Sequence, residues 1–324
     1  MSGLRGTGLV LRDALAWEDL REIAGTAEDT GYAALFVPEI AGREAFSTLS
    51  GLAAVTERVA LGTGVVPMDA RSPEVTAMAA ATLHDESGRR HVLGVGAGHP
   101  PPGTRPGPLE RLREYVRVIR GAVGGQRVSS TMYGIDAFEL ELPLDDPPPI
   151  WLAALGERMV GLAARIADGV LLNWCTPDRV RAAAASIRGT ASDAGRDPDA
   201  LSVAVYVRAC IGPPAPVALR ALQDMTGRYA SAPNYLAQFE AMGFGDAAHR
   251  AARAFADGRP DDVPETLVDA LCVRGSRDEW LARAAELREA GADLVLCYPV
   301  AALDPFSTVL GTAIACAPNP AVER

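Results

Sequence analysis

The chain of 324 residues is 48% hydrophobic and 22% charged, with a mean hydropathy of +0.08, so it carries enough apolar material for a sizeable core and is neither disordered nor fibrous. Its net charge of −10 and pI near 5.0 exclude the basic footprint that nucleic-acid phosphates or an anionic membrane surface require. All 31 basic residues are arginine, which removes Schiff-base chemistry and the phosphate-binding lysine of Walker loops.

The first strand is predicted over residues 8–11. The apolar run there meets Arg12 and Asp13 at once, too short for a signal peptide or a span, and a cytoplasmic location is expected. Trp17, Leu20, Ile23, Ala24 and Ala27 share one helical face; Gly31 stops that helix and a buried strand follows over 33–37. A third strand is predicted over 59–65. Ser72 and Pro73 suit an N-cap and first turn, and the stripe Val75, Met78, Ala79, Thr82 and Leu83 runs to Gly88, before a strand over 91–95.

The proline-rich pieces 100–108, 143–149 and 212–216 read as loops. Further strands are predicted over 150–154, 170–173 and 201–207, and residues 217–264 form a helical excursion over one end of the fold. Ser276 and Glu279 make a capping box for the helix carrying Trp280, Ala284 and Leu287, and Gly291 precedes the last strand, 293–297. Eight strands alternating with helices predict one (β/α)8-barrel domain over residues 1–324, with an open doubly wound sheet as the competing architecture.

In a barrel the residues just past the C-terminal strand ends line the site. They are Glu39 and Ile40, Gly64 and Val65, Gly96 to His99, Leu155 to Arg158, Asn173 and Trp174, and Tyr298. This mouth is apolar and poor in acids and bases, which suits a planar ring and hydride transfer better than hydrolysis. Gly94, Gly96 and Gly98 mimic a dinucleotide fingerprint, but His99 and the prolines after it forbid the helix that motif must enter; three glycines there imply close approach of the backbone to a ligand or to neighbouring chain. Gly156 at a helix start leaves N–H groups for a phosphate, with Arg158 adding charge. Glu39 is either a ligand contact or a solvated loop acid, and His99 is favoured among four histidines as proton donor or cofactor contact. Those histidines show no metal-ligand spacing, and the five cysteines form neither a zinc motif nor a disulfide framework.

Several motifs in order resemble luciferase-like flavin-dependent oxidoreductases: Val37-Pro38-Glu39, the run Leu61 through Pro67, Arg71-Ser72-Pro73, Leu93 through His99, Ala153 through Gly156, and Ala167-Asp168-Gly169. Pro233-Asn234-Tyr235 and the run Leu267 through Leu271 resemble the subgroup that uses the deazaflavin coenzyme F420, which includes methylenetetrahydromethanopterin reductase-like proteins. The resemblance implies a barrel, a non-proline cis peptide at Gly64 to Val65 beside the middle of the ring, and cofactor contacts at Thr63, Gly64, Val65, Gly98 and His99; Gly96 and Ala97, at the same strand end, are expected cofactor contacts by position. It also implies contacts at Ala154, Leu155, Gly156 and Arg158.

It further implies a small organic substrate and, as in many relatives, a homodimer; Ile40, Trp174 and Tyr298 are the expected substrate-pocket walls. Ile40 stands where several deazaflavin enzymes have histidine, which puts a sugar-phosphate dehydrogenase mechanism in doubt. An FMN-dependent two-component monooxygenase and a non-catalytic flavin-binding barrel are the alternatives.

Overall fold

The computed structural model describes residues 3–12, 15–98, 103–142 and 144–319. The first half runs β1 (Gly6–Val10), α1 (Trp17–Asp29), β2 (Ala34–Val37), α2 (Ala45–Ala53), β3 (Ala60–Thr63), β4 (Val66–Pro67), α3 (Pro73–Glu86) and β5 (His91–Gly96). It continues through α4 (Pro108–Val123), the hairpin β6 (Val128–Ser130) and β7 (Ile135–Phe138), β8 (Ile150–Ala153), α5 (Glu157–Ile166), β9 (Gly169–Asn173) and α6 (Pro177–Asp193). The last part holds β10 (Ser202–Ile211), α7 (Ala215–Ala230), α8 (Pro233–Ala241), α9 (Gly245–Ala256), α10 (Glu265–Leu271), β11 (Cys272–Gly275), α11 (Arg277–Glu289), β12 (Leu294–Pro299) and α12 (Pro305–Cys316).

Strands β1, β2, β3, β5, β8, β9, β10 and β12 form a closed parallel barrel, shut by β9 on β10 in the register Gly169↔Ser202 to Asn173↔Tyr206. That closure rules out the open sheet, and all eight predicted strands are present. Helix termini follow the sequence cues: Ser72 caps α3 with Pro73 in its first turn, and Ser276 with Glu279 closes a capping box on α11. Gly31, Gly88 and Gly291, each at positive φ, end the helices before β2, β5 and β12. The hairpin and β11 were not foreseen. No helix among the described residues is long and apolar enough to cross a membrane.

Two cores position the mouth. The barrel interior is filled by its own strands, including Val10, Phe36, Trp151, Leu171, Tyr206, Leu296 and Tyr298, with Phe36 and Trp151 rings 5.9 Å apart. A separate cluster joins Trp174 and Cys210 to Leu222, Phe239, Leu267 and Val300. The excursion after β10 therefore packs onto the β9–β10–β12 side of the rim.

At the start of β5, His91 is fully buried, its Nδ1 2.9 Å from the carbonyl of Leu61. Burial depresses its pKa from 6.5 to about 3. The folded state therefore keeps His91 neutral where the unfolded chain protonates it, and stability falls as pH drops from about 6.5 towards 3, by up to about 1.4 kcal/mol per pH unit. In His91→Asn, which retains a donor for Leu61, this part of the slope is expected to vanish; urea unfolding of both proteins between about pH 6.5 and 4.5 measures it.

Candidate active site

The centre of the mouth is an irregularity between β3 and β5. From Gly62 to Val66 the chain advances four residues while its partner advances three, from Val92 to Val95, so one extra residue bulges towards the rim. Gly64–Val65 is a non-proline cis peptide, as the resemblance implied. Three hydrogen bonds hold the bulge: Gly64 N donates to Val37 O at 2.8 Å, Glu39 N donates to Val65 O at 3.2 Å, and the Tyr206 hydroxyl donates to Gly64 O at 3.1 Å. A Cβ on Gly64 would lie 2.5 Å from that hydroxyl oxygen, so glycine is required by close approach from below. Burial pushes the Tyr206 phenol well above its ordinary pKa, and it acts as a fixed donor.

The glycines at the end of β5 meet protein. Added Cβ atoms would lie 2.0 Å from Thr63 O at Gly94, 2.6 Å from the Val65 side chain at Gly96 and 1.9 Å from the Asp69 carboxylate at Gly98. Gly98 is also left-handed, at φ 66°. Of the two readings of this motif, approach to neighbouring chain accounts for all three positions. Thr63 is buried, its hydroxyl shared between the carbonyl and N–H of Gly94 at 2.8 Å each, whereas Gly64, Val65, Ala97 and Gly98 remain partly accessible. His99 lies outside the described residues.

Glu39 is an anchored acid. Arg71 Nε and Nη2 donate to its two oxygens at 3.0 and 3.2 Å, Ala45 N donates at 3.1 Å, and the same guanidinium pairs with Glu44, the N-cap of α2. The Glu39 hydrogen bond leads in raising the Arg71 pKa. Ile40 is 60% exposed and lines a cavity of about 300 Å³ with Leu11, Arg12, Val37 and Pro38 at the ends of β1 and β2.

Across the mouth, Ala154 N donates to Leu171 O at 3.1 Å, Arg179 holds Leu155 O at 2.8 Å, and Gly156 is the N-cap of α5 with no side-chain cap. Nothing occupies the space where a Gly156 Cβ would stand, and Arg158 is exposed beside it. Such an open helix start has free N–H groups for an anion. Trp174 takes a left-handed φ of 56°, which costs a bulky residue about 1–3 kcal/mol, and Gln238 holds it there by donating to Asn173 O and Trp174 O at 2.7 and 2.8 Å. Tyr298 is inward-facing and 4% exposed. Between them stands a residue that sequence reasoning passed over: Arg208, 1% exposed, its guanidinium carbon 4.3 Å from the Trp174 ring centroid and 4.5 Å from that of Tyr298.

These features define a parallel-barrel site with an apolar floor, an anion-accepting helix start and immobilised acids. The model of the luciferase-like monooxygenase family matches residues 4–294, and the chain belongs to this family of oxidoreductases. It is 30% identical over 303 residues to a 5,10-methylenetetrahydromethanopterin reductase of Archaeoglobus fulgidus, covering 87% of this chain and 90% of that one. It is 29% identical over 313 residues to a putative coenzyme F420-dependent oxidoreductase of Mycobacterium tuberculosis, covering 85% and 89%. The coenzyme F420-dependent tetrahydromethanopterin reductase of Methanopyrus kandleri shares the fold, with a TM-score of 0.82, 22% identity and coverage of 97% and 98%.

Gly64→Ala forces a methyl group against Tyr206 and Phe36 and is expected to lower stability by roughly 1–3 kcal/mol. Adding Tyr206→Phe should recover part of that loss, with a coupling of about 0.5 kcal/mol or more between the two sites in urea denaturation. Strict additivity would show that the bulge moves away from Tyr206.

Proposed function

We propose that the protein is a coenzyme F420-dependent oxidoreductase transferring a hydride between the deazaflavin and a small organic substrate. The observation that carries this reading is the bulge at Gly64–Val65, buttressed from inside the barrel by Tyr206 and flanked by an uncapped helix start. The residues present fit the cofactor: Gly64 and Val65 present a flat accessible surface without a charged side chain, and the N–H groups after Gly156 with Arg158 suit its phosphate. Bound F420 would supply the carbon that gives or takes the hydride.

The chain's own part is placement and exclusion of water. Gly64, Val65, Gly96, Ala97 and Gly98 line the ring side, with Thr63 holding β3 to β5 beneath them. Ala154, Leu155, Gly156 and Arg158 take the phosphate side. Ile40, Trp174 and Tyr298 bound the substrate space. Glu39, paired with Arg71, braces the loop after β2 against the bulge and faces the ligands as a fixed negative group. His99 follows Gly98 in sequence and is the proposed acid or base where a proton accompanies the hydride.

Titrating the protein with F420 and, in parallel, FMN tests the cofactor assignment. F420 is expected to bind with micromolar affinity or tighter and FMN much more weakly. Binding of FMN alone would hand the site to the oxygen-dependent monooxygenase reading, and binding of neither to the non-catalytic barrel.

The reading extends to assembly and place. Val75 and Met78, each 44% exposed on α3, form an apolar strip suited to a homodimer through α2 and α3. Light scattering should show the mass of a dimer for the native chain and of a monomer for Val75→Asp/Met78→Asp. Five free, buried cysteines fit a reducing compartment, and the cytoplasm is the proposed location.

A further inference from the structure

Two arginines in this chain, Arg90 half-buried and Arg208 buried, show what a structural role looks like and what departs from it. Arg90 donates to Ser87 O, Thr56 Oγ1, Val59 O, Ala53 O and Thr56 O, so all three of its nitrogens are used. Arg208 is more deeply buried, yet among the described residues its hydrogen bonding consists of Nη1 to Asn173 Oδ1, no carboxylate pairs with it, and its Nε is buried without an acceptor. Trp174, Tyr229 and Tyr298 surround the guanidinium with ring centroids at 4.3, 4.9 and 4.5 Å. These rings favour a desolvated cation but bring no counter-charge.

The position is as specific as the chemistry. Arg208 lies two residues beyond Tyr206 on the same inward face of β10, level with Tyr298, so it leaves the strand about 7 Å nearer the rim than the residue that holds the bulge. The cage is itself immobilised: Asn173 Nδ2 donates to the Tyr235 hydroxyl at 2.8 Å, and Gln238 fixes the Trp174 backbone. With Nη1 committed to Asn173, the edge left over is that of Nε and Nη2. Its two parallel N–H groups match the spacing of carboxylate oxygens. A guanidinium withdrawn from water without a counter-ion is disfavoured until a ligand brings the anion.

We propose that Arg208 is a specificity-determining residue that anchors the carboxylate of an acidic organic substrate above the Gly64–Val65 bulge. This rests on the mouth being the hydride-transfer site proposed above, but it concerns a different ligand and a different wall.

The test is a titration of the purified protein, with and without F420, using trans-2-butenoate and benzoate against their neutral amides, read by tryptophan fluorescence because Trp174 stacks on the guanidinium. The acids are expected to saturate the signal and the amides to leave it unchanged. Arg208→Gln should weaken acid binding roughly 30-fold or more, and Arg208→Lys, which keeps the charge without the two-donor edge, by about fivefold or more. Circular dichroism checks that each variant folds, and Arg208→Lys decides the matter where Arg208→Gln does not. Equal binding of acid and amide, undiminished acid binding in Arg208→Lys, or no acid binding up to about 20 mM overturns the proposal. Acid binding through Arg208 in a protein that fails to take up F420 would defeat the cofactor assignment alone, so the two readings fail separately.

Discussion

The interior of a closed barrel has to be filled by the side chains of its own strands, and here that requirement decides the shape of the site above it. Phe36, Trp151 and Tyr206 are large side chains of the barrel interior, and Phe36 and Tyr206 lie directly against the strand that yields. It yields between β3 and β5, where one extra residue is accommodated and the position nearest Tyr206 and Phe36 is glycine. The Tyr206 hydroxyl then has an acceptor in Gly64 O, so a packing problem and a buried polar group are resolved by one contact. The partly accessible, uncharged bulge offered at the mouth follows from how the interior is filled.

Much of this was legible in the sequence, because the signals are local. Periodic apolar stripes, capping residues and glycine stops placed all eight barrel strands, and the three glycines after Leu93 marked a stretch of backbone with close neighbours. What the glycines could not reveal is which atoms approach, since Thr63 O, Val65 and Asp69 belong to a segment about 30 residues earlier in the chain, the separation of the Thr63–Gly94 contact being 31. Glu39 was visible as an acid at a strand end, but whether it is solvated or held depends on Arg71, 32 residues away. The hairpin of β6 and β7 is short and half exposed, so it carries almost no hydrophobic alternation.

The seventh barrel strand shows the limit most clearly. Read from sequence it spans 201–207, yet β10 continues through Arg208 to Ile211 with every residue buried. The strand tolerates that charge because Trp174, Tyr229 and Tyr298 arrive from three separate segments, one of them the helical excursion. Holding Trp174 in a left-handed conformation is part of the arrangement, since that turn of the chain carries its ring beside the guanidinium. None of this is encoded within reach of a local pattern.

The balance of charge at the mouth then differs from that of the whole molecule. Overall the chain carries −10, but charges more than about 8–10 Å away are largely screened at physiological ionic strength, so the local groups decide what binds. Arg71 is shared between Glu39 and Glu44, Arg208 has no acidic partner among the described residues, and the start of α5 adds the positive end of its dipole, with Glu157 and Arg158 in its first turn. Arg208 is therefore a cation without a carboxylate partner among the described residues, inside an acidic protein. An anionic ligand that reaches it exchanges water for fixed donors already in place, which lowers the cost of ordering the ligand and leaves the apolar floor free to exclude solvent from the reacting atoms.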